Sequence, residues 1–494
     1  MASFRFSACT ATAPSIGSGC AGFALLVSAA LGGCASSPAT AAGVQGVSEL
    51  VAADGATGDQ FGFSLAASAD LALIGAPAHE VAANADQGQA YVFLQSSGAW
   101  RDLGAPLVAA DGAIGDNFGF SMAMSGDTVV IGAPGHRVDD QPFQGAAYVF
   151  VSDGTNFVQQ GSALVASDGR AADAFGSAVA ISDDTILVGA PASDVDSQTG
   201  RGKAYVFVRR DRTWQQQGGA LLAPDGKPGD TFGSSVALSG ETAVVSAPVH
   251  QVGMNPYQGA AYVFVRENET WRQQGNDLIP EDGGPFDQLD ACAVSGDSVL
   301  LGVPFHTIAD QPKQGAAYLF VRSGDDWTQA GPPWVAPDGA ADDHFGNALA
   351  LDGESALVAA PMHRNAFAGY RGAGFAFSGS GASWVARAPL VVDGGAVDEL
   401  LGSSLALAPR TVLLGAPSHR VEGRAQQGAA YAFTPSADGC ASLECGDLRA
   451  AGGCSQVAVA RVAPRVIAWN ALLAAMAIAW RRRRSQRRFR CVSN

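Results

Sequence analysis

One pattern returns seven times along this chain, and it leaves little freedom for the fold. Its clearest copy is residues 118–150, FGFSMAMSGDTVVIGAPGHRVDDQPFQGAAYVF, and its Pro recurs at Pro77, Pro134, Pro191, Pro248, Pro304, Pro361 and Pro417, a step of 57 or 56 residues each time. A period near this length, in units that read as several short strands, is the signature of a radial array or a solenoid. The 494 residues therefore hold one large repeat domain, over residues 47–434, with short segments at both ends.

The fourth unit shows how each copy should fold. Residues 232–238 read as a first strand of small residues, then Ser239-Gly240-Glu241-Thr242 as a tight hairpin. A second strand, 243–247, stops at Pro248, which cannot donate to a sheet ladder. The third strand, AAYVFVR from Ala260, is apolar on both faces and needs cover on both. Residues 271–279 form the outer strand. Four antiparallel strands in each of seven units predict an all-β, seven-bladed β-propeller, whose neighbouring blades supply that cover. The seventh unit stops after its third strand, at Phe433, and VSELVA at residues 47–52 precedes Asp54-Gly55 as LVASDG does elsewhere. The N-terminal strand is thus expected to complete the last blade and leave the ring without an open edge. Leu289-Asp290 replaces Phe-Gly in the fifth unit, with one residue lost before Pro304, which predicts a less regular fifth blade.

Phe-Gly, then Gly-Ala-Pro, then Gly-x-x-Tyr-Val-Phe resembles the FG-GAP repeat, the blade unit of integrin alpha-subunit heads and of many bacterial surface proteins. The resemblance spans residues 45–434 and recurs in register. Calcium-binding members of that family carry an Asp-rich loop between FG and GAP. Here that interval holds only two-residue turns such as SGDT and DGES, too short to wrap an ion that needs six or more oxygens. The resemblance therefore implies the calcium-free branch, with no metal and no cofactor.

Six of the seven His residues stand two places after the repeated Pro: His79, His136, His250, His306, His363 and His419, with Ser193 in the third unit. Strand counting puts them on the same face as the Asp-Gly loops, which carry second acids at Asp59, Asp116, Asp173, Asp230, Asp287, Asp343 and Asp398. Imidazoles and carboxylates together suit a divalent metal or a titration near neutrality. The plainer reading is that each bonds its own blade and recurs because blades are copies. Asp194 and Asp196, in SDVDSQTG, form the one irregular acidic loop and are binding candidates. No G-x-S-x-G elbow, H-E-x-x-H helix or phosphate loop is present, so no catalytic residue is assigned. The Pro-to-Gly loops are all of equal length, without the insertions that enzymes on this fold use for specificity.

The ends speak for location. Residues 1–34 read as an export signal whose end, Leu31-Gly32-Gly33-Cys34, resembles a lipobox, which implies lipidation at Cys34; residues 35–46 are a small-residue tether. Residues 435–465 form a stalk in which Cys440, Cys445 and Cys454 cluster. Residues 466–480 read as a short transmembrane helix, and residues 481–494, with seven Arg, as a basic cytoplasmic tail; the arrangement also resembles the C-terminal sorting tags of myxobacterial surface proteins, and a plain membrane anchor is the alternative. Because that tail is basic while the whole chain carries a formal charge of -16, the body is strongly acidic and would repel nucleic acid. The sequence points to an exported, membrane-anchored, monomeric propeller of the cell envelope or surface, non-enzymatic, which binds an extracellular protein or glycan. An extracellular hydrolase with its site on the loop face and a structural envelope spacer are the alternatives.

Overall fold

The structure is a computed structural model and describes residues 44–154, 156–364, 369–392 and 399–435. Cys34, the stalk cysteines, residues 466–480 and Asp398 lie outside the described residues. Among the described residues, twenty-eight strands form seven four-stranded antiparallel sheets. Their innermost strands stand side by side in chain order, and the seventh meets the first, so the molecule is a seven-bladed β-propeller.

The fourth blade, Val236–Ser239, Thr242–Ala247, Ala260–Glu267 and Thr270–Gln273, shows the common plan. Its first three strands are buried on both faces except at their ends, and the fourth alternates exposed and half-buried residues. Two boundaries differ from the sequence reading. Residues 232–235 are a turn because Phe232 N donates to Arg201 O in the preceding blade, outside its own ladder. The outer strand ends at Gln273, and the chain then doubles back so that Leu278 bridges Ala261.

The seam between blades explains the repeated residues. Phe232, fully buried, packs edge-on against Tyr262 and Phe264 of its own blade, with centroids 5.6 and 6.1 Å away. Its backbone bridges Gly202 of the blade before it, and the same bridge joins Phe175 to Gly145 and Phe345 to Gly315. A Cβ on Gly145 would lie 2.0 Å from Phe175 O, and Gly145 has φ +86. The glycine of one unit and the Phe-Gly of the next are therefore two halves of one joint. Phe61 bridges Gly428 in the same way, joining the first blade to the seventh.

The N-terminal strand, Val44–Leu50, pairs antiparallel with Ala429–Pro435 as the fourth strand of the seventh blade, as expected. The fifth blade is a correction: its strands pair without interruption. Leu289, fully buried, fills the Phe position, and the lost residue comes from the turn ahead of the first strand. Register shifts appear instead in the sixth blade, between Phe375 and Phe377, and at the start of the N-terminal strand in the seventh, between Val44 and Gly46.

Candidate functional site

Each repeated His sits in a cluster built within its own unit. The Nδ1 of His79, His136, His250, His306 and His363 lies 2.7–2.9 Å from a carboxylate oxygen of Asp59, Asp116, Asp230, Asp287 and Asp343 respectively. These acids are buried and also accept a backbone N–H three residues upstream, as Asp230 does from Lys227. On the other side, Nε2 of His250 lies 3.3 Å from Asp225, whose second oxygen accepts the Tyr262 hydroxyl at 2.8 Å. Burial alone pushes these imidazoles down, but the bond and charge of the buried carboxylate outweigh it and leave all five raised. In the seventh unit the acid is Glu399, 2.9 Å from His419 Nδ1, and Glu49 of the N-terminal strand lies 3.0 Å from its Nε2. The bond from Glu399 is the main cause of the raised His419.

The third unit tests what these clusters are for. Ser193 stands in the His place, and Lys203 reaches Asp168 at 2.5 Å beside Tyr205, which donates to the same carboxylate. A cation is thus retained where the imidazole is lost. Asp173, without its imidazole, is pushed up by burial to about 6. The clusters are hydrogen-bonded braces that tie the Asp-Gly loop, the loop after Pro and the third strand together. Among the described residues, no group of three or more His, Cys, Asp or Glu side chains is arranged to hold a metal.

Asp194 and Asp196 lie on the loop between the second and third strands of the third blade. Asp194 Oδ1 accepts Gly200 N at 3.0 Å, and Asp196, exposed, occupies a left-handed turn position. The loop's inner bridge, Val195 to Gln198, is also found at Val138 to Gln141 and Val252 to Asn255. The run that reads as irregular in sequence has the backbone of its neighbours.

What does break the repeat is a set of single positions around the axis. Immediately before Phe-Gly stand Gln60, Asn117, Ala174, Thr231, Gln288, His344 and Leu400, all with φ between 52 and 60. One residue after Phe-Gly come Phe63, Phe120, Ser177, Ser234, Asn347 and Ser403; one after Pro come Ala78, Gly135, Ala192, Val249, Phe305, Met362 and Ser418. The fifth unit lacks the middle position. Asp290 N donates to Gly302 O as Gly119 N does to Gly132 O, and Ala291 pairs with Gly302 as Ser121 does with Gly132, so nothing answers Phe120.

These positions converge on a cavity of about 240 Å³ at the loop-face mouth of the first, fifth, sixth and seventh blades. Nine of its twelve lining residues belong to the three variable positions; Pro361, Pro417 and Gln426 complete it. None is a carboxylate, a lysine or an arginine. His344 packs edge-on against Phe305 at 4.9 Å, and burial, aided by Lys313, keeps its imidazole below the usual range. The six repeated His do not line the cavity; the seventh, His344, does. A sequence signal was available: within the otherwise recurring segments around Phe-Gly and Gly-Ala-Pro, these positions change from unit to unit.

The model of the FG-GAP repeat matches residues 45–93, 102–150, 158–207, 214–264 and 334–377. The units with Leu289-Asp290 and Leu401-Gly402 lie outside those segments. No curated protein matches the chain. Among solved structures, the Pseudomonas aeruginosa periplasmic gluconolactonase PpgL is 11% identical with a TM-score of 0.42, over 70% of this chain and 97% of that one, a likeness too distant to bear on activity.

Proposed function

Since this chain is a β-propeller of FG-GAP repeats, we propose that it serves as a non-enzymatic binding module of the cell envelope. In this reading Cys34 and residues 466–480 anchor it to the membrane, and the loop face meets an extracellular protein or glycan. One observation carries the reading. The six repeated imidazoles of the loop face are each held by carboxylates, whereas nine residues from positions at which the units differ line one cavity without a carboxylate, lysine or arginine. General acid–base or nucleophilic catalysis needs a group whose proton or lone pair is available to a substrate, and the wall of this cavity offers one imidazole and no carboxylate. A recognition surface needs shape and hydrogen-bonding groups, and it has both.

The test is to present the intact chain to arrayed envelope glycans and to surface-protein extracts, beside a panel of glycoside, ester and lactone substrates. Retention of a glycan or protein without turnover of any substrate supports the reading. Turnover that disappears when a loop-face residue is replaced would establish the hydrolase instead.

A further inference from the structure

We infer that the cavity at the axis takes a single neutral pyranose ring, the terminal sugar of a glycan. This deepens the binding reading above and rests on it. The size suits one ring: at about 240 Å³ the cavity falls below the roughly 300–1,000 Å³ of sites for larger ligands. Its wall has two characters. Phe63 and Phe305 offer aromatic surface, on which the C–H face of a sugar packs. The side chains of Gln60, His344, Ser418 and Gln426 make no hydrogen bond among the described residues, and amides both donate and accept, as sugar hydroxyls require.

The chemistry of the wall excludes other small ligands. An anionic ring would be held without a counter-ion in a strongly acidic body, and a cationic one would find no carboxylate in the wall. A purely apolar ring would displace water from the four free polar side chains and leave them unpaired, at about 1–3 kcal/mol for each one buried. A neutral ring edged with hydroxyls satisfies both sets. The missing residue of the fifth unit is part of the design: a side chain like Phe120 there would fill the space beside Phe305.

The units themselves supply variants whose side chains this backbone already carries. Phe305→Ala copies Ala78 and Ala192, and His344→Ala copies Ala174, which holds the same left-handed backbone at φ 56. Ser403→Phe copies Phe63 and Phe120 and occludes the cavity, losing only the bond that Ser403 Oγ donates to Leu400 O. Saturation-transfer NMR on the intact chain in detergent micelles would use the methyl glycosides of glucose, galactose, mannose and N-acetylglucosamine, with methyl glucuronoside as the charged control. At least one neutral glycoside is expected to bind, with a Kd on the order of 1 mM, and the glucuronoside at least about tenfold more weakly. Phe305→Ala with His344→Ala should weaken binding by about tenfold or more, and Ser403→Phe should abolish it while the melting curve is retained. Absence of any neutral glycoside signal at about 50 mM, or binding that survives Ser403→Phe, overturns the inference. If arrayed glycans or proteins are still captured in that case, the site assignment falls and the binding reading stands; if nothing is captured and substrates turn over, the binding reading falls as well.

Discussion

His250 and its two carboxylates show what one residue does here. Its side chain and that of Asp230 are each 4% exposed, so removing the imidazole leaves a buried carboxylate with only its backbone N–H. His250→Ser should therefore cost about 3 kcal/mol in urea unfolding. Adding Ala260→Lys, which reproduces the third unit where Lys203 pairs with Asp168, should return at least about 1 kcal/mol of it; no recovery would mean that Lys203 does not stand in for the imidazole. The same groups set the pH response. Six His are raised above their ordinary 6.5, so their contribution is complete below that value and is lost as pH climbs through the raised values. Asp173 at about 6 and Asp290 at about 7, both pushed up by burial, hold protons in the folded state that the unfolded chain has released, so they too lose stability as pH rises. Tm should fall steadily from pH 6 to pH 9, measured by calorimetry. Asp290, fully buried with one oxygen unpartnered, gives a single-residue check: Asp290→Asn should stabilise the protein by more at pH 8 than at pH 5, the gain growing by about 1.4 kcal/mol per pH unit between the ordinary carboxylate range and pH 7 and levelling off above it.

At the scale of elements, stability resides in joints between units. Gly145 accepts the backbone of Phe175 where a Cβ would stand 2.0 Å from its carbonyl oxygen, so Gly145→Ala should cost about 3 kcal/mol, whereas Gly219→Ala, in open space and outside the left-handed region, should change stability by no more than about 1 kcal/mol. The N-terminal strand closes the ring by pairing with Ala429–Pro435. It also carries Glu49 to His419 and buries Leu50. A chain lacking residues 44–50 would expose a strand edge next to a His419 that keeps Glu399 but loses Glu49. Its Tm should drop by at least about 5 °C, and it should form oligomers in light scattering; unchanged melting would show that the seventh blade is complete without this strand.

At the scale of the molecule, the architecture was legible because it is written seven times. Pro77 through Pro417 fixed the number of blades, and the truncated end at Phe433 with the spare strand before Asp54 disclosed the closure. The fifth blade was misjudged because Leu289-Asp290 looks like damage to the joint. Leu289 nevertheless fills the same buried space, and the deletion falls on a turn residue ahead of the first strand, outside the ladder. The braces were legible as recurring His and Asp; their partners were not fully so, since Glu399 replaced the expected acid and Lys203 replaced an imidazole from a different strand. The cavity was hidden for a physical reason. Its residues come from blades up to 366 positions apart, Gln60 to Gln426, and only closure of the ring makes Phe63 a neighbour of Ser403. The most direct test of the account is a crystal structure of the protein soaked with the neutral glycoside that binds best. The account predicts one ring in the cavity, packed against Phe63 or Phe305 and hydrogen-bonded to Gln60, His344 or Gln426. A sugar resting instead on the His–Asp braces, or a cavity holding only water at saturating glycoside, would contradict it.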